Sequence, residues 1–484
     1  MHPSEPRVVP ECSTDLDGAV PLIVDVDGSL LRTDLLWEGL VQAALDPSCL
    51  WGLLQALRGG KARVKAYVQK QAPSVAATLP LDARVLSLIE RRGAAGCPVG
   101  LVSGADETHL EPLRQRVGAT FAWGSDGTIN LTGQAKLGRI QAHFAPFDYV
   151  GNGLADIPIW AKARRAYAVN AGPITLWRAR RVRPDLIVLG TARASGRAAL
   201  RSLRPHQWAK NLLLLLPAVA AHLSWSVALG VQILAGFVAF SLVASLVYIL
   251  NDLIDLPHDR RHATKRLRPL AAGELSIPGG LGLVAGLALA SGALASQLPD
   301  GFRRMLLIYL VLTLGYSCAV KRWALLDVIT LATLYTMRVV AGAALAEVPV
   351  TRWFLAFSVF FFLSLALVKR VVELRESSAG GAGPLAGRGY VVQDVPVLTG
   401  LGMASITASA LVYCLYITGE EARLLYSRPD LLWAGLPILL YWQARAWLLT
   451  GRQAMHEDPV VFAMRDRVSH LAFAAFLVVV MLAV

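Results

Sequence analysis

Residues 248–275 read YILNDLIDLPHDRRHATKRLRPLAAGEL, and this stretch decides how the larger part of the chain folds. It follows an apolar run, 228–250, that is long enough to cross roughly 30 Å of hydrocarbon as a helix. Asp252, Asp255 and Asp259 recur at spacings of three and four, which predicts that they share one helix face. Three stacked carboxylates at a membrane-helix end repel one another, so the pattern predicts divalent cations between them.

Polar and basic side chains surround this acidic motif. Asn251 precedes it, and Lys265, Arg266 and Arg268 follow within a few residues. Mg²⁺ prefers carboxylate oxygens together with substrate phosphate oxygens, and the cations would neutralise the remaining phosphate charge. The motif therefore predicts a Mg²⁺–pyrophosphate site, and the alternative is a solvated helix end of mixed charge.

The composition indicates a membrane protein with a soluble N-terminal part. Hydrophobic residues make up 55% of the 484 residues and charged residues 17%, and the mean hydropathy is +0.49. We expect an α/β domain over 1–195 and an all-α membrane domain over 196–484. About nine spans are predicted, at 208–222, 228–250, 278–297, 303–320, 325–346, 353–369, 395–418, 429–449 and 468–484.

The net charge of +13 comes mostly from loops beside apolar runs. Basic residues concentrate in the loops after the second, fourth, sixth and eighth spans, on the same side as the N-terminal domain. The positive-inside rule predicts that this side is the cytoplasmic face of the inner membrane. This distribution also argues against nucleic acid as a partner.

The N-terminal part has the pattern of a doubly wound parallel sheet. Short apolar runs at 20–27, 97–104 and 147–153 each end in small or polar residues, and helical spacing separates them. Residues 34–70 have helical spacing with many polar residues, which predicts a small helical cap. Chemistry is expected where the strands end, because ligands bind there in such sheets.

The acidic motif and its flanks resemble the UbiA superfamily of intramembrane prenyltransferases over about 200–484. Four segments are similar to one branch of it, the decaprenyl-phosphate phosphoribosyltransferases: RPHQWAKN (204–211), 251–273, DVITLATLYTMRVVAGA (327–343) and EDPVVFAMRDR (457–467). A second Asp-rich motif is typical of the superfamily, but the corresponding stretch here reads KRVVELRE. Fewer carboxylates and more cations suit a substrate with an extra phosphate.

The resemblance implies an activity, partners and residue roles. It implies Mg²⁺-dependent transfer of 5-phosphoribose from phosphoribosyl pyrophosphate to a polyprenyl phosphate, catalysed at Asp252, Asp255 and Asp259, and it suggests a trimer. The alternative is a conventional UbiA enzyme that moves a polyprenyl group from its diphosphate to an aromatic acceptor. Asp327 is a candidate partner for the arginine within the fifth span, or else another polar element of the cavity. The substrate-binding candidates here are Lys210, Lys321, Arg338, Lys369, Arg370 and Glu373.

The run VPLIVDVDGS resembles the first motif of haloacid-dehalogenase-like phosphatases, over about 20–190. The resemblance implies that Asp25 is the nucleophile, that Asp27 is the acid/base, and that both are Mg²⁺ ligands. It makes Ser103 and Lys136 phosphate-binding residues, and it makes Asn152 and Asp156 metal ligands. Asn152 stands where the family has an acidic residue, so one negative charge is lost and either an active or a degenerate phosphatase is expected. An active one would remove the 5-phosphate of the lipid product.

Overall fold

A computed structural model of the chain describes residues 20–59, 63–64, 67–68, 78–125, 131–191, 196–379, 388–455 and 458–484. The chain forms two compact units. The first unit contains Met1–Ser202 and Leu250–Leu283, and the second contains Leu203–Ile249 and Val284–Val484. The acidic motif therefore groups with the N-terminal part of the chain. The domain boundary at 195/196 stays a prediction.

The first unit is built on a six-stranded parallel sheet in the order β3-β2-β1-β4-β5-β6. This confirms the doubly wound sheet. The strand order changes direction between β1 and β4, and the crevice at the carboxyl end of such a point is where ligands bind. The strands are β1 Leu22–Asp25, β2 Val99–Asp106, β3 Phe121–Ser125, β4 Asp148–Gly151, β5 Ala166–Ala171 and β6 Ile187–Thr191.

Strand β1 is buried on both faces because its side chains alternate between two cores. Leu22 and Val24 pack into one hydrophobic cluster, and Ile23 packs into another on the opposite face. A strand covered by helices on both sides must be apolar throughout. Asp25 ends the apolar run at the open edge of the sheet.

Helices cover this sheet, and two of them form the predicted cap. Residues 60–62, 65–66 and 69–70 of the cap prediction lie outside the described residues. The helices are α1 Leu35–Leu45, α2 Pro47–Arg58, α3 Ala83–Ala94, α4 Glu107–Val117, α5 Gly133–His143, α6 Ile157–Lys162, α7 Pro173–Val182 and α8 Gly196–Leu203.

The rest of the chain is helical. After the 3₁₀ helix Pro205–Leu215, its helices are α9 Leu216–Ala220, α10 Val227–Ile254, α11 Leu256–Arg261, α12 Ile277–Ala295, α13 Asp300–Cys318, α14 Leu326–Ala346, α15 Arg352–Ala379, α16 Val395–Thr418, α17 Glu420–Leu425, α18 Gly435–Gly451, α19 Pro459–Ala463 and α20 Arg467–Ala483.

Within the described ranges, five helices are long and apolar enough to cross a membrane: α10, α12, α14, α15 and the helix that includes α16. The predicted count of nine spans is not confirmed. The span predicted at 208–222 is a 3₁₀ helix followed by the five-residue α9. Helix α13 carries Asp300, Arg303 and Arg304, and α18 and α20 have only 17 residues each.

Close backbone packing in the second unit depends on one glycine of α14. A Cβ atom on Gly342 would lie 2.2 Å from the main-chain oxygen of Leu214, in the 3₁₀ helix Pro205–Leu215. Main-chain atoms cannot give way as a flexible side chain can. The two helices can approach this closely only because Gly342 has a hydrogen atom where other residues have a Cβ.

We predict that Gly342→Ala lowers the thermal unfolding midpoint of the full chain in detergent. Overpacking should cost about 1–3 kcal/mol, although Gly→Ala in a helix normally stabilises by about 1 kcal/mol. Gly315→Ala, in α13, is the matched control because no atom lies within 4 Å of the added methyl group. Equal midpoints for the two variants would contradict the packing argument.

Candidate functional site

The first candidate site lies at the carboxyl edge of the sheet. Asp25 ends β1, and its register neighbour is Val102, the residue before Ser103 on β2. Lys136 of α5 donates to Asp25 Oδ1 at 2.5 Å, and Ser29 donates to Oδ2 at 2.9 Å. The structure thus brings the predicted nucleophile and the predicted phosphate-binding lysine into contact, and both are buried.

Asp27 is held by hydrogen bonds to both carboxylate oxygens. Ser103 Oγ donates to Oδ2 and the main-chain N–H of Leu35 donates to Oδ1, each at 2.9 Å. Leu35 begins α1, so the cap helix fixes the position of the predicted acid/base. Ser103 positions a carboxylate here, and its predicted contact with phosphate stays a prediction.

The fourth motif forms the next part of this edge, directly after β4. Asp156 Oδ2 accepts from the main-chain N–H groups of Asn152 and Gly153, at 2.9 Å each, and Oδ1 accepts from Tyr149 at 2.7 Å. Asp156 therefore orders the loop that presents Asn152. Gly28 has a φ of +73°, and a Cβ on it would lie 2.0 Å from the Asn152 side-chain amide. A side chain at position 28 would fill this cradle.

Burial raises the pKa of both aspartates of the first motif. It raises the pKa of Asp25 to about 7, although Lys136 opposes the shift. Burial, followed by the charge of Asp34, raises the pKa of Asp27 to about 6. Desolvated carboxyls bind a cation readily because it restores the lost stabilisation of their charge. The Asp25 carboxylate, the Asp27 carbonyl and the Asn152 amide oxygen are the hard donors that Mg²⁺ takes, so these residues fit that ion.

The second candidate site is the acidic motif, and its geometry corrects the prediction of one continuous helix face. Helix α10 ends at Ile254, Asp255 lies between two helices, and α11 begins at Leu256. Asp252 and Asp259 nevertheless converge, because Arg268 Nη1 donates to both, at 3.0 and 2.5 Å. The break at Asp255 turns the chain so that carboxylates seven residues apart face one cation.

The donor set around Asp252 fits Mg²⁺. Both converging carboxylates are buried, and the Asn251 side-chain oxygen is buried without a hydrogen-bond partner. Across the described residues, no three His, Cys, Asp or Glu side chains gather into a metal cage. Mg²⁺ rarely uses such cages, because it keeps waters and binds substrate phosphates through one or two carboxylates. Lys265 and Arg266 are exposed beside this site.

A buried ion pair ties the acidic motif to the cap of the N-terminal fold. Arg260, the residue after Asp259, makes a two-pronged contact with Glu38 of α1, at 2.5 and 2.9 Å. The side chains are only 2% and 6% exposed. Thr33 also donates to Glu38, at 2.5 Å. Glu38 therefore holds the chain segment that carries Asp259.

The third cluster lies within the helical unit and centres on Asp458. Lys210 donates to Asp458 at 2.8 Å, Lys369 at 3.1 Å, and the Tyr335 hydroxyl at 3.1 Å. Burial alone would raise the pKa of Asp458, but Lys369 and Lys210 lower it well below its usual range. The carboxylate thus stays charged, and two ammonium groups against one carboxylate leave a net positive charge.

Arg338 lies buried within α14, where an arginine is costly without partners. It donates to the Asn211 side-chain oxygen at 3.1 Å, to the Tyr309 hydroxyl at 2.8 Å and to the Leu334 carbonyl at 2.7 Å. None of these contacts carries a full negative charge. Asp327 contacts Arg370 and Tyr316 instead, so the first of the two alternatives for Asp327, a pair with Arg338, was wrong.

Asp327 belongs instead to a separate buried network, which also includes two of the predicted substrate-binding residues, Arg370 and Glu373. Arg370 approaches Asp327 at 2.6 Å and also contacts Glu373, and both Arg370 and Asp327 are completely buried. Tyr316 donates to Asp327 at 2.7 Å. Arg370 and Glu373 therefore pair with each other, and their role in substrate binding stays a prediction. Lys321 is partly exposed in the 3₁₀ helix Val320–Arg322.

Sequence reasoning missed the residues that organise these clusters. Asp458 was noticed only as part of a similar segment, and its contacts reach across 248 positions to Lys210. Glu38 and Arg260 are 222 positions apart. In the sequence, these residues stand out only as charged residues beside helical or apolar stretches. That pattern does not indicate which residue each of them contacts.

Comparison with known proteins identifies the helical part. Residues 211–482, more than half of the chain, match the UbiA prenyltransferase family. The chain belongs to that family. It is therefore an integral membrane protein and a transferase. A solved UbiA homolog from Archaeoglobus fulgidus, bound to GPP and Mg²⁺, aligns with 59% of this chain and 99% of its own, at 17% identity and a TM-score of 0.46.

Two relatives of this UbiA-family chain differ in what they cover. An uncharacterized protein of Sinorhizobium fredii, y4nM, is 36% identical over 94% of this chain and 89% of its own length. The decaprenyl-phosphate phosphoribosyltransferase of Mycolicibacterium smegmatis is 34% identical over 38% of this chain and 59% of its own length. The N-terminal part is similar to a solved HAD family hydrolase of Salmonella enterica. The alignment covers 35% of this chain and 67% of the hydrolase, at 15% identity and a TM-score of 0.27.

We predict that Glu38→Ala loosens α11. Leaving Arg260 buried without its carboxylate should cost about 3–5 kcal/mol, and amide hydrogen exchange over Leu256–Arg261 should accelerate. Glu90→Ala on α3 is the control, because Glu90 is exposed and forms no buried ion pair with any residue that the structure describes. Exchange over α11 that is equally slow in both variants would show that the ion pair does not hold the segment.

Proposed function

We propose that this UbiA-family chain transfers 5-phosphoribose from phosphoribosyl pyrophosphate to a polyprenyl phosphate of decaprenyl type. The observation that carries the proposal is the convergence of Asp252 and Asp259 on one cation, beside the unpartnered oxygen of Asn251. That arrangement suits a pyrophosphate held through Mg²⁺. The named phosphoribosyltransferase relatives support the choice of donor and acceptor.

The reaction needs little acid–base chemistry from the protein. An anionic oxygen of the lipid phosphate attacks C1 of the ribose, the C1–O bond to pyrophosphate breaks, and pyrophosphate leaves with the bonding electrons. Bound Mg²⁺ would neutralise the charge that develops on the leaving group. Asp252, Asp259 and Asn251 would hold it, and Arg268, Lys265 and Arg266 would bind pyrophosphate oxygens. Asp255, next to them in sequence, stays a predicted ligand.

The second requirement is to bind an anionic acceptor, and the Asp458 cluster suits that task. Lys210 is buried and Lys369 is half-buried, and both contact one carboxylate, so the cluster carries a positive charge that a phosphate would neutralise. Arg338 supplies a further buried cation. We assign the lipid phosphate to these residues.

The alternative is prenyl transfer from a polyprenyl diphosphate to an aromatic acceptor. Such an enzyme would use a second group of carboxylates for metal. In this chain, the corresponding stretch contributes Lys369 to the Asp458 cluster, while Arg370 and Glu373 pair with each other. These contacts favour an anionic acceptor over a second metal site.

We further infer that the HAD-like part hydrolyses a phosphomonoester, the 5-phosphate of the lipid product. Asp25 would attack phosphorus to form an aspartyl phosphate, and the Asp27 carboxyl would give its proton to the leaving alkoxide. Water would then release inorganic phosphate and restore Asp25. The supporting observation is that Asp25, Lys136, Asp27 and Asn152 line one edge with the fixed contacts described above.

The basic loops support placing both activities at the cytoplasmic face of the inner membrane. Phosphoribosyl pyrophosphate is a highly charged, water-soluble donor, and a cytoplasmic site would meet it directly. Assembly into a trimer stays a prediction.

The transferase proposal is tested at the acidic motif. Asp252→Asn/Asp259→Asn should lower formation of lipid-linked phosphoribose by about 100-fold or more, because metal-held leaving-group stabilisation contributes several kcal/mol. The assay follows lipid products by mass spectrometry with phosphoribosyl pyrophosphate, polyprenyl phosphate and Mg²⁺. Asp430→Asn, at an exposed carboxylate of the 3₁₀ helix Pro429–Ala434, should leave the rate unchanged. Undiminished product in the double variant would refute the assignment. Product only from polyprenyl diphosphate and an aromatic acceptor would establish the alternative.

A second variant separates the two activities. With wild-type protein we expect lipid-linked ribose and free phosphate. With Asp25→Asn we expect lipid-linked phosphoribose to accumulate at the wild-type rate, because the nucleophile is lost while the acidic motif is intact. Phosphate release that continues in this variant would show that another site is responsible.

A further inference from the structure

A large cavity opens from the phosphatase edge of the first unit. Its volume is about 1390 Å³, and Asp27, Gly28 and Asn152 form its catalytic end. Small-molecule pockets usually measure roughly 300–1000 Å³. This cavity therefore has room for considerably more than the phosphate that Asp25 would attack.

The opposite wall comes from the chain segment that follows the acidic motif. Gly273–Gly279 and Leu283 line the cavity, and the segment enters α12 at Ile277. Gly273 has a φ of +67°, and a Cβ there would lie 2.6 Å from the main-chain oxygen of Arg32, so this wall is packed tightly onto the sheet domain. Helix α12 is long and apolar enough to cross a membrane. The cavity thus extends to the first turns of a membrane helix.

Two of the four arginines on the walls are neutralised by neighbours. Arg84 pairs with Asp82 at 2.6 Å, and Arg201 pairs with Glu274 at 2.7 Å. The other two, Arg32 and Arg197, are exposed and form no ion pair in the described part of the chain. The catalytic end already has its own cation, since Lys136 contacts Asp25. The two unpaired arginines are therefore available for a second anionic group.

We propose that the phosphatase cavity binds a membrane-anchored substrate with two separate phosphates. The phosphomonoester would face Asp25, and Arg32 and Arg197 would bind a phosphodiester that carries the lipid. The lipid would leave the cavity along the first turns of α12, which begin the membrane-crossing helix. This inference rests on the phosphatase part of the proposed function and adds the second phosphate contact, the two residues that make it and the exit path of the lipid.

The physical basis is a division of charge. A free sugar phosphate offers a single phosphate, which the catalytic end would bind, and it would gain nothing from Arg32 or Arg197. A lipid-linked phosphodiester gains charge-assisted hydrogen bonds to both arginines and a hydrocarbon anchor in the bilayer. Selection between the two substrates should therefore appear in KM and disappear when the arginines are neutralised.

The test uses the full chain in phosphatidylcholine vesicles with Mg²⁺. The three probes are farnesyl-phosphoryl-ribose 5-phosphate, its water-soluble methyl-phosphoryl counterpart and ribose 5-phosphate, and the readout is released phosphate. We expect kcat/KM for the farnesyl probe to exceed that for ribose 5-phosphate at least tenfold, with the methyl probe between them. In Arg32→Gln/Arg197→Gln, KM for the farnesyl probe should rise at least tenfold, while the rate with ribose 5-phosphate stays unchanged.

The control variant is Arg178→Gln/Arg180→Gln, which removes the same charge from exposed positions on α7. It should behave as the wild type. Equal use of the farnesyl probe and ribose 5-phosphate, or no effect of neutralising Arg32 and Arg197, would overturn the proposal. No phosphate from any probe, relative to Asp25→Asn, would overturn it as well.

Transfer is measured separately in the same vesicles with phosphoribosyl pyrophosphate and polyprenyl phosphate. This measurement also shows whether the Arg32→Gln/Arg197→Gln protein is folded. Intact transfer without phosphate release would reject the phosphatase inference alone. Phosphate release from the synthetic probes without transfer would reject the transferase proposal and leave the cavity assignment standing.

Discussion

One buried ion pair, in which Arg260 contacts Glu38 through two hydrogen bonds, joins the two chain segments that make up the first unit. A guanidinium or a carboxylate that is buried without a partner strongly destabilises the fold. When the two groups are buried together, each compensates the charge of the other and accepts or donates its hydrogen bonds. Glu38 lies on the cap helix, whose first N–H fixes Asp27, and Arg260 follows Asp259. One contact thus fixes both a carboxylate of the proposed phosphatase site and a carboxylate of the proposed transferase site.

The clusters share a rule about charge. Where cations outnumber the carboxylates they contact, an anion can bind, as at Lys210 and Lys369 around Asp458. Where charges are matched and fully buried, as in the Arg370–Asp327 pair, the contact has no charge left for a ligand. This difference distinguishes candidate substrate-binding residues from structural ones better than their positions in a motif do.

The proposed pairing of a phosphatase with a UbiA-family transferase in one chain has a chemical logic. A transferase that makes a lipid-linked phosphosugar leaves a phosphomonoester near the membrane surface. A hydrolase whose cavity reaches the first turns of a membrane helix would meet that product without release into water. The proposed order is transfer first and hydrolysis second, because the product of the transferase site belongs to the substrate class of the phosphatase site.

The sequence by itself determined the sheet, the edge at which Asp25 lies and the five long apolar helices, because these follow from local periodicity and from where apolar runs end. It also located Asp25, Asp27 and the acidic motif, whose spacing is local. Only the tertiary structure decided that the helix breaks at Asp255, that Arg268 joins Asp252 to Asp259, and that Asp458 organises the lysines. Those contacts join residues distant in the chain, or depend on a backbone break that helical periodicity does not reveal, and no local pattern encodes which partner a buried charge finds.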